Sequence, residues 1–78
     1  MELHIIYTES EIILSKEHFG SWRDIQDQFA DYTASLGPWD HEAVIAYLED
    51  DHPELEPSAA VQVAALLGAA ALTCVLTF

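Results

Sequence analysis

Asp24, Asp27 and Asp31 recur at i, i+3 and i+7. On a helix turning 100° per residue, these three carboxylates fall within about 60° of one another, with axial steps of about 4.5 and 6 Å. A nucleic-acid strand advances about 3.4 Å per nucleotide, so the row presents negative charge at comparable intervals. The chemistry it suits is recognition of Lys and Arg side chains. A solvated helix face ordinarily mixes Glu with Lys, and no Lys shares this one. A second acidic group follows in Glu49, Asp50, Asp51, Glu54 and Glu56, with Glu42 upstream of it. Its first three members close a predicted helix, where the helix dipole disfavours anions by about 0.3–1 kcal/mol each. A locally unfavourable choice of this kind points to function.

Other chemistries find little support. The acidic group around His52 lacks the alternating ligands and turn glycine of a calcium loop. His4, His18, His41 and His52 show no HxxxH or HExxH spacing. The glycines at 20, 37 and 68 are isolated and form no phosphate loop. Cys74 lies in an apolar stretch without a neighbouring base, which suits an inert thiol. Ser, His and Asp occur without a nucleophile-elbow context. We expect a protein that is not an enzyme and takes no metal or cofactor.

Charge divides the chain. All 14 acids and the two basic residues, Lys16 and Arg23, fall within residues 1–56, and residues 57–78 carry no charged side chain. A net charge of -12 steers cationic partners toward the molecule and repels phosphate backbones and anionic membranes. The expected partner is therefore a basic protein, not nucleic acid itself. Hydrophobic residues make up 51% of the chain, too many for a disordered acidic tail. One cysteine excludes an intramolecular disulfide. The chain start has no basic n-region, so the expected location is cytoplasmic.

These residues need elements to hold them. Residues 3–8 read as a strand, and 11–15 as its hairpin partner across Glu9-Ser10, with a short helix starting at Ser10 as the rival. A first helix is predicted from Ser21 as N-cap, with Asp24 as a capping-box variant and an apolar stripe of Trp22, Ile25, Phe29, Tyr32 and Leu36, ending at Gly37-Pro38. Asp40 caps a second helix over 41–50, with Trp39 placed to staple onto Val44. Ser58 caps a third over about 59–70, apolar all round and hence central. Alternation of Leu72, Cys74, Leu76 and Phe78 with Thr73, Val75 and Thr77 predicts a final strand. A single α+β domain over 1–78 follows, of two or three antiparallel strands and three helices, with the C-terminal strand beside the N-terminal one. Trp22, Ile25, Phe29, Leu36, Val61, Leu66 and Leu67 are its expected core. The rival for 59–78 is one unbroken membrane-spanning helix, about the right length at 20 residues. Its polar residues, its missing Lys/Arg flanks and the change of period at Leu72 argue against it. The chain is expected to be a monomer or a homodimer.

The short acidic chain resembles the small phage-encoded inhibitors of host defence, the anti-CRISPR and anti-restriction proteins, several of which mimic DNA. Asp24, Asp27, Asp31, Glu42, Glu49, Asp50, Asp51, Glu54 and Glu56 carry the resemblance, through charge layout over residues 1–56. It implies an inhibitor that occupies the Lys/Arg-lined DNA path of a nucleic-acid-binding effector, with these residues at the contact. The same charge layout also suits an acidic adaptor or antitoxin that covers a basic partner without competing with DNA.

Overall fold

The computed structural model describes residues 2–78. Strands β1 (Glu2–Thr8) and β2 (Ile12–Ser15) form the expected antiparallel hairpin, with His4 opposite Ser15 and Tyr7 opposite Ile12. The turn has neither Gly nor Asn. Thr8 closes it instead, through its amide and hydroxyl to the Glu11 carbonyl and through its hydroxyl to the Glu11 amide. Helix α1 (Trp22–Gln28) is followed by β3 (Tyr32–Asp40), α2 (His41–Asp51), α3 (Ala59–Leu67) and β4 (Thr73–Val75).

The sheet has the order β3-β1-β2-β4 and is antiparallel throughout. This corrects the expected topology in two ways. There are four strands, and the C-terminal strand pairs with β2, not with the N-terminal strand. The two differences have one origin. The segment Tyr32–Asp40, expected as the second half of helix one, is instead a nine-residue strand on the outer side of β1. With β2 on its other side, β1 has no free edge for the tail. Phe29, Tyr32 and Leu36 do recur at helical spacing. However, Tyr32-Thr33 and Trp39 are residue types that fit a pleated, half-buried surface, and pairing along β1 decides between the two.

Gly37-Pro38 does not end a helix. Leu36 faces Ile5 and Trp39 faces Leu3, so Gly37 and Pro38 together stand opposite the single residue His4 in a bulge. Gly37 has φ +109°, and a Cβ there would lie 2.6 Å from the Leu3 carbonyl oxygen, so only glycine fits.

Alternation on the strands separates two cores. Leu3, Ile5 and Leu14 face α2 and α3, packing with Val44, Leu48, Val63, Leu66 and Leu76. Ile6 and Ile13 face α1 and pack with Ile25, flanked by Phe19, Phe29 and Tyr32. Of the expected core, Ile25 and Leu66 are buried, while Phe29, Leu36 and Leu67 are only partly so. Trp22 and Val61 are 55% and 53% exposed. Trp22 is the first residue of α1, which has only about two turns. Its indole instead stacks under the Arg23 guanidinium, 5.5 Å from the ring centre.

The N-caps fall where the sequence puts them. Ser21, Asp40 and Ser58 accept from the amides of Arg23, Ala43 and Val61. Asp24 reaches back to the Gly20 amide at 3.0 Å, one residue before the cap. Trp39 meets Tyr47 edge-on, with ring centres 5.5 Å apart.

Gln62, buried on α3, holds the chain beyond β4. Its amide nitrogen donates to the carbonyls of Pro57 (2.7 Å) and Thr77 (2.9 Å), and its oxygen accepts from the Thr77 amide at 2.9 Å. Replacing Gln62 with Leu leaves the Pro57 carbonyl and the Thr77 amide without partners, while the Thr77 carbonyl keeps the Glu56 amide, at a cost of about 1–3 kcal/mol. The expected result is a lower urea midpoint at unchanged slope, and faster hydrogen exchange at the Thr77 amide. An unchanged midpoint would mean that water replaces the side chain freely.

His4 sets a pH dependence. It is buried on the α1 face, edge-on to Phe19 with ring centres 5.0 Å apart. Burial holds its imidazole below the ordinary value of 6.5, against an opposing pull from Glu2 and with a further downward push from His18. The unfolded chain therefore takes up this proton first. The contribution is intact above about pH 6.5 and is lost as pH falls from there toward the folded-state value. Wild type should lose more stability than His4→Gln between pH 7 and pH 5, a range that runs from just above the unperturbed pKa to well below it. Parallel curves for the two proteins would reject the assignment.

Candidate acidic interface

The hairpin turn marks one end of the sheet, and the structure gathers acids there from both faces. Asp31 is not on α1. It lies in the turn between α1 and β3, where its carbonyl accepts from the Glu9 amide (3.1 Å) and its carboxylate from the Ser10 hydroxyl (3.4 Å). This places Asp31 with Glu9 and Glu11, which the sequence reading left out of the candidate set. The predicted three-residue helical row is thus broken. Asp24 and Asp27 remain on α1, and Asp31 belongs to the sheet end.

Helix α2 runs antiparallel to β3 and brings its C-terminus to the same end. Tyr7, near the end of β1, hydrogen-bonds His52 Nε2 at 3.0 Å and the Tyr47 hydroxyl at 3.2 Å. The connector after α2 is tied there as well, by the Glu56 amide to the Thr77 carbonyl (3.2 Å) and by the Thr77 hydroxyl to the Glu56 carbonyl (2.7 Å). Glu49, Asp50, Asp51, Glu54 and Glu56 are therefore carried at the hairpin end, all exposed. Glu42, in the first turn of α2 beside Asp40, sits at the opposite end. Of the nine sequence-derived candidates, the sheet end collects six and leaves Asp24, Asp27 and Glu42 outside.

The cations do not neutralise this surface. Lys16 donates from Nζ to the carbonyls of Leu66 (2.7 Å) and Ala69 (2.6 Å), at the C-terminus of α3, where a positive charge is favoured. Arg23 lies on Trp22. Among the described residues no Lys or Arg forms an ion pair with a carboxylate. The close charge contact is His52 Nδ1 to Glu54 Oε1 at 3.7 Å, an ion pair only when His52 is protonated. Exposed like charges of this density repel one another. Salt, which at 0.1 M largely screens exposed charges more than about 10 Å apart, is expected to raise the melting temperature. A melting temperature indifferent to salt would mean that the carboxylates are compensated.

Glu54, His52, Tyr7 and Tyr47 form a carboxylate–imidazole–phenol chain that no sequence pattern reveals, since Tyr7 and His52 are 45 residues apart. The hydrogen bond shared with Tyr7, and then burial, push the Tyr47 phenol well above its ordinary value, so it stays protonated near neutrality. A protonated phenol is a poor nucleophile, and the chain serves to latch the end of α2 onto β1. Burial likewise pushes the Cys74 thiol up, opposed by the Leu14 backbone. Among the described residues no group of three or more His, Cys, Asp or Glu side chains is placed to hold a metal ion. Among the same residues no helix is long and apolar enough to cross a membrane. The chain matches no protein-family model, no curated protein and no solved structure at a significant level.

Proposed function

We propose that this protein is a non-enzymatic inhibitor, of the anti-CRISPR or anti-restriction kind. It binds a basic nucleic-acid-binding effector and blocks its DNA site by presenting carboxylates in place of phosphates. The observation that carries the proposal is the convergence of exposed carboxylates from the β1–β2 turn, the α1–β3 turn, the end of α2 and the following connector on one end of the sheet, with no Lys or Arg partner among the described residues. Arg side chains that grip phosphate oxygens grip carboxylate oxygens in the same two-pronged way. Charge of one sign on one end also steers association, which becomes fast and salt-sensitive.

The test is competition. The purified protein is titrated into preformed complexes of a labelled DNA duplex with each of a panel of CRISPR and restriction effectors, and release of the duplex is followed by fluorescence anisotropy. The proposal expects release from at least one effector, weakening as salt rises. Binding to an effector that keeps its DNA would instead make the protein an adaptor or antitoxin covering a basic partner.

A further inference from the structure

The α3–β4 side of the molecule is the reverse of the acidic end. Residues 57–78 carry no charge, and between α3 and β4 lies an open, apolar groove of about 330 Å³, with Val61, Ala65, Leu66, Ala69, Cys74 and Val75 along it. Beside the groove runs a bare sheet edge. β4 is the last strand in the order. The Leu72 carbonyl accepts from the Lys16 amide just past β2, and the Leu76 amide donates to the Ile12 carbonyl of β2, so by strand alternation the amides and carbonyls of Thr73 and Val75 point away from the sheet. The opposite edge, β3, is blunted by two register shifts, by Pro38 and by the charge of Asp40. β4 has none of these devices.

We propose that this side is where two copies of the chain join, β4 to β4 and antiparallel, about a two-fold axis at Cys74. Charge selects the occupant. Two molecules of net charge -12 that meet elsewhere bring carboxylates together, whereas here residues 57–78 of each copy contribute no charge, and the Lys16 ammonium beside the groove is held by the Leu66 and Ala69 carbonyls. A basic partner would find no carboxylate to engage on this side. The register follows from the alternation. Thr73 and Val75 of one copy exchange hydrogen bonds with Val75 and Thr73 of the other, the two Cys74 residues face each other without hydrogen bonds, and the α3 helices close over the joint. The two four-stranded sheets become one continuous sheet. The pairing does not rest on the acidic end.

Sedimentation equilibrium over a range of protein concentrations tests it. Wild type should reach twice the 8.7 kDa chain mass, and association should tighten with salt as the copies repel less. Ala65→Glu, at an exposed helical position, buries an unpaired charge in the joint and should weaken association at least about tenfold. Val75→Pro removes an outward-facing amide that the β2 ladder does not use, and should do the same. In wild type the Thr73 and Val75 amides should exchange more slowly as concentration rises. Circular dichroism shows which variants are folded, and one folded variant suffices. A wild type that stays at 8.7 kDa at about 100 μM, well above a micromolar Kd, overturns the proposal. So does a dimer that a folded Ala65→Glu or Val75→Pro variant leaves intact. A monomer that takes an apolar dye into the groove also overturns it, in favour of a small apolar ligand.

Discussion

A variant carrying Glu49→Lys, Asp50→Lys and Asp51→Lys is expected to fold more stably than wild type and to lose the proposed inhibition. Glu49, Asp50 and Asp51 end α2, which has no basic residue in its last turn. Cations there complement the helix dipole, each by about 0.3–1 kcal/mol. Removing three acids from an uncompensated surface also relieves repulsion. At an effector's DNA path the same changes set lysine against lysine and arginine, which costs several kcal/mol, or more than about a hundredfold in affinity. Stability and activity therefore move in opposite directions, and loss of function cannot be ascribed to unfolding. Adding Asp31→Lys should deepen the loss, because Asp31 shares this end of the sheet through Glu9 and Ser10. Asp24→Lys with Asp27→Lys should matter less, since these residues lie on α1 and not in the turns, helix end and connector that carry the collected charge. Single Asp→Ala changes at the rim should each cost no more than about 1 kcal/mol. The measurement is displacement of labelled duplex from the effector, with thermal melts alongside. Full inhibition by the triple reversal would reduce the acids to a solubilising role and require a different contact surface.

Leu48→Ala is expected to unfold much of the protein at 25 °C. Leu48 is fully buried in the cluster that joins α2 and α3 to the sheet. Truncating a buried leucine costs about 2–5 kcal/mol, set by how far the site collapses. A domain of this size rarely holds more than about 3–5 kcal/mol in its core. The cysteine count allows no disulfide to make up the difference. Val61→Ala and Trp22→Ala provide the contrast. Both positions were expected in the core and both are more than half exposed, so neither truncation should approach the cost at Leu48. Urea denaturation of the three variants ranks them. A loss at Trp22 equal to that at Leu48 would mean that the indole is packed far more tightly than its exposure allows.

The sequence by itself determined whatever depends on a few neighbouring residues. Ser21, Asp40 and Ser58 start helices because a short side-chain oxygen can reach the first free amides, a condition met within three residues. The hairpin of β1 and β2 followed from local residue types, and the strand after α3 from local alternation. The division of charge between residues 1–56 and 57–78 survives as an acidic end and a neutral side. Tertiary structure decided the rest. Residues 32–40 carry a helical period in Tyr32 and Leu36 and also strand-forming side chains, and only the availability of β1 as a partner chose the strand. That choice moved β4 to β2, drew Asp31 off its helical row and exposed Trp22. The acidic end itself was hidden in the sequence, because Glu9, Asp31 and Glu54 are brought to one end by strand register and by the Tyr7–His52 bond. Pairing across such separations depends on which edges the rest of the sheet leaves open, and no local spacing encodes that.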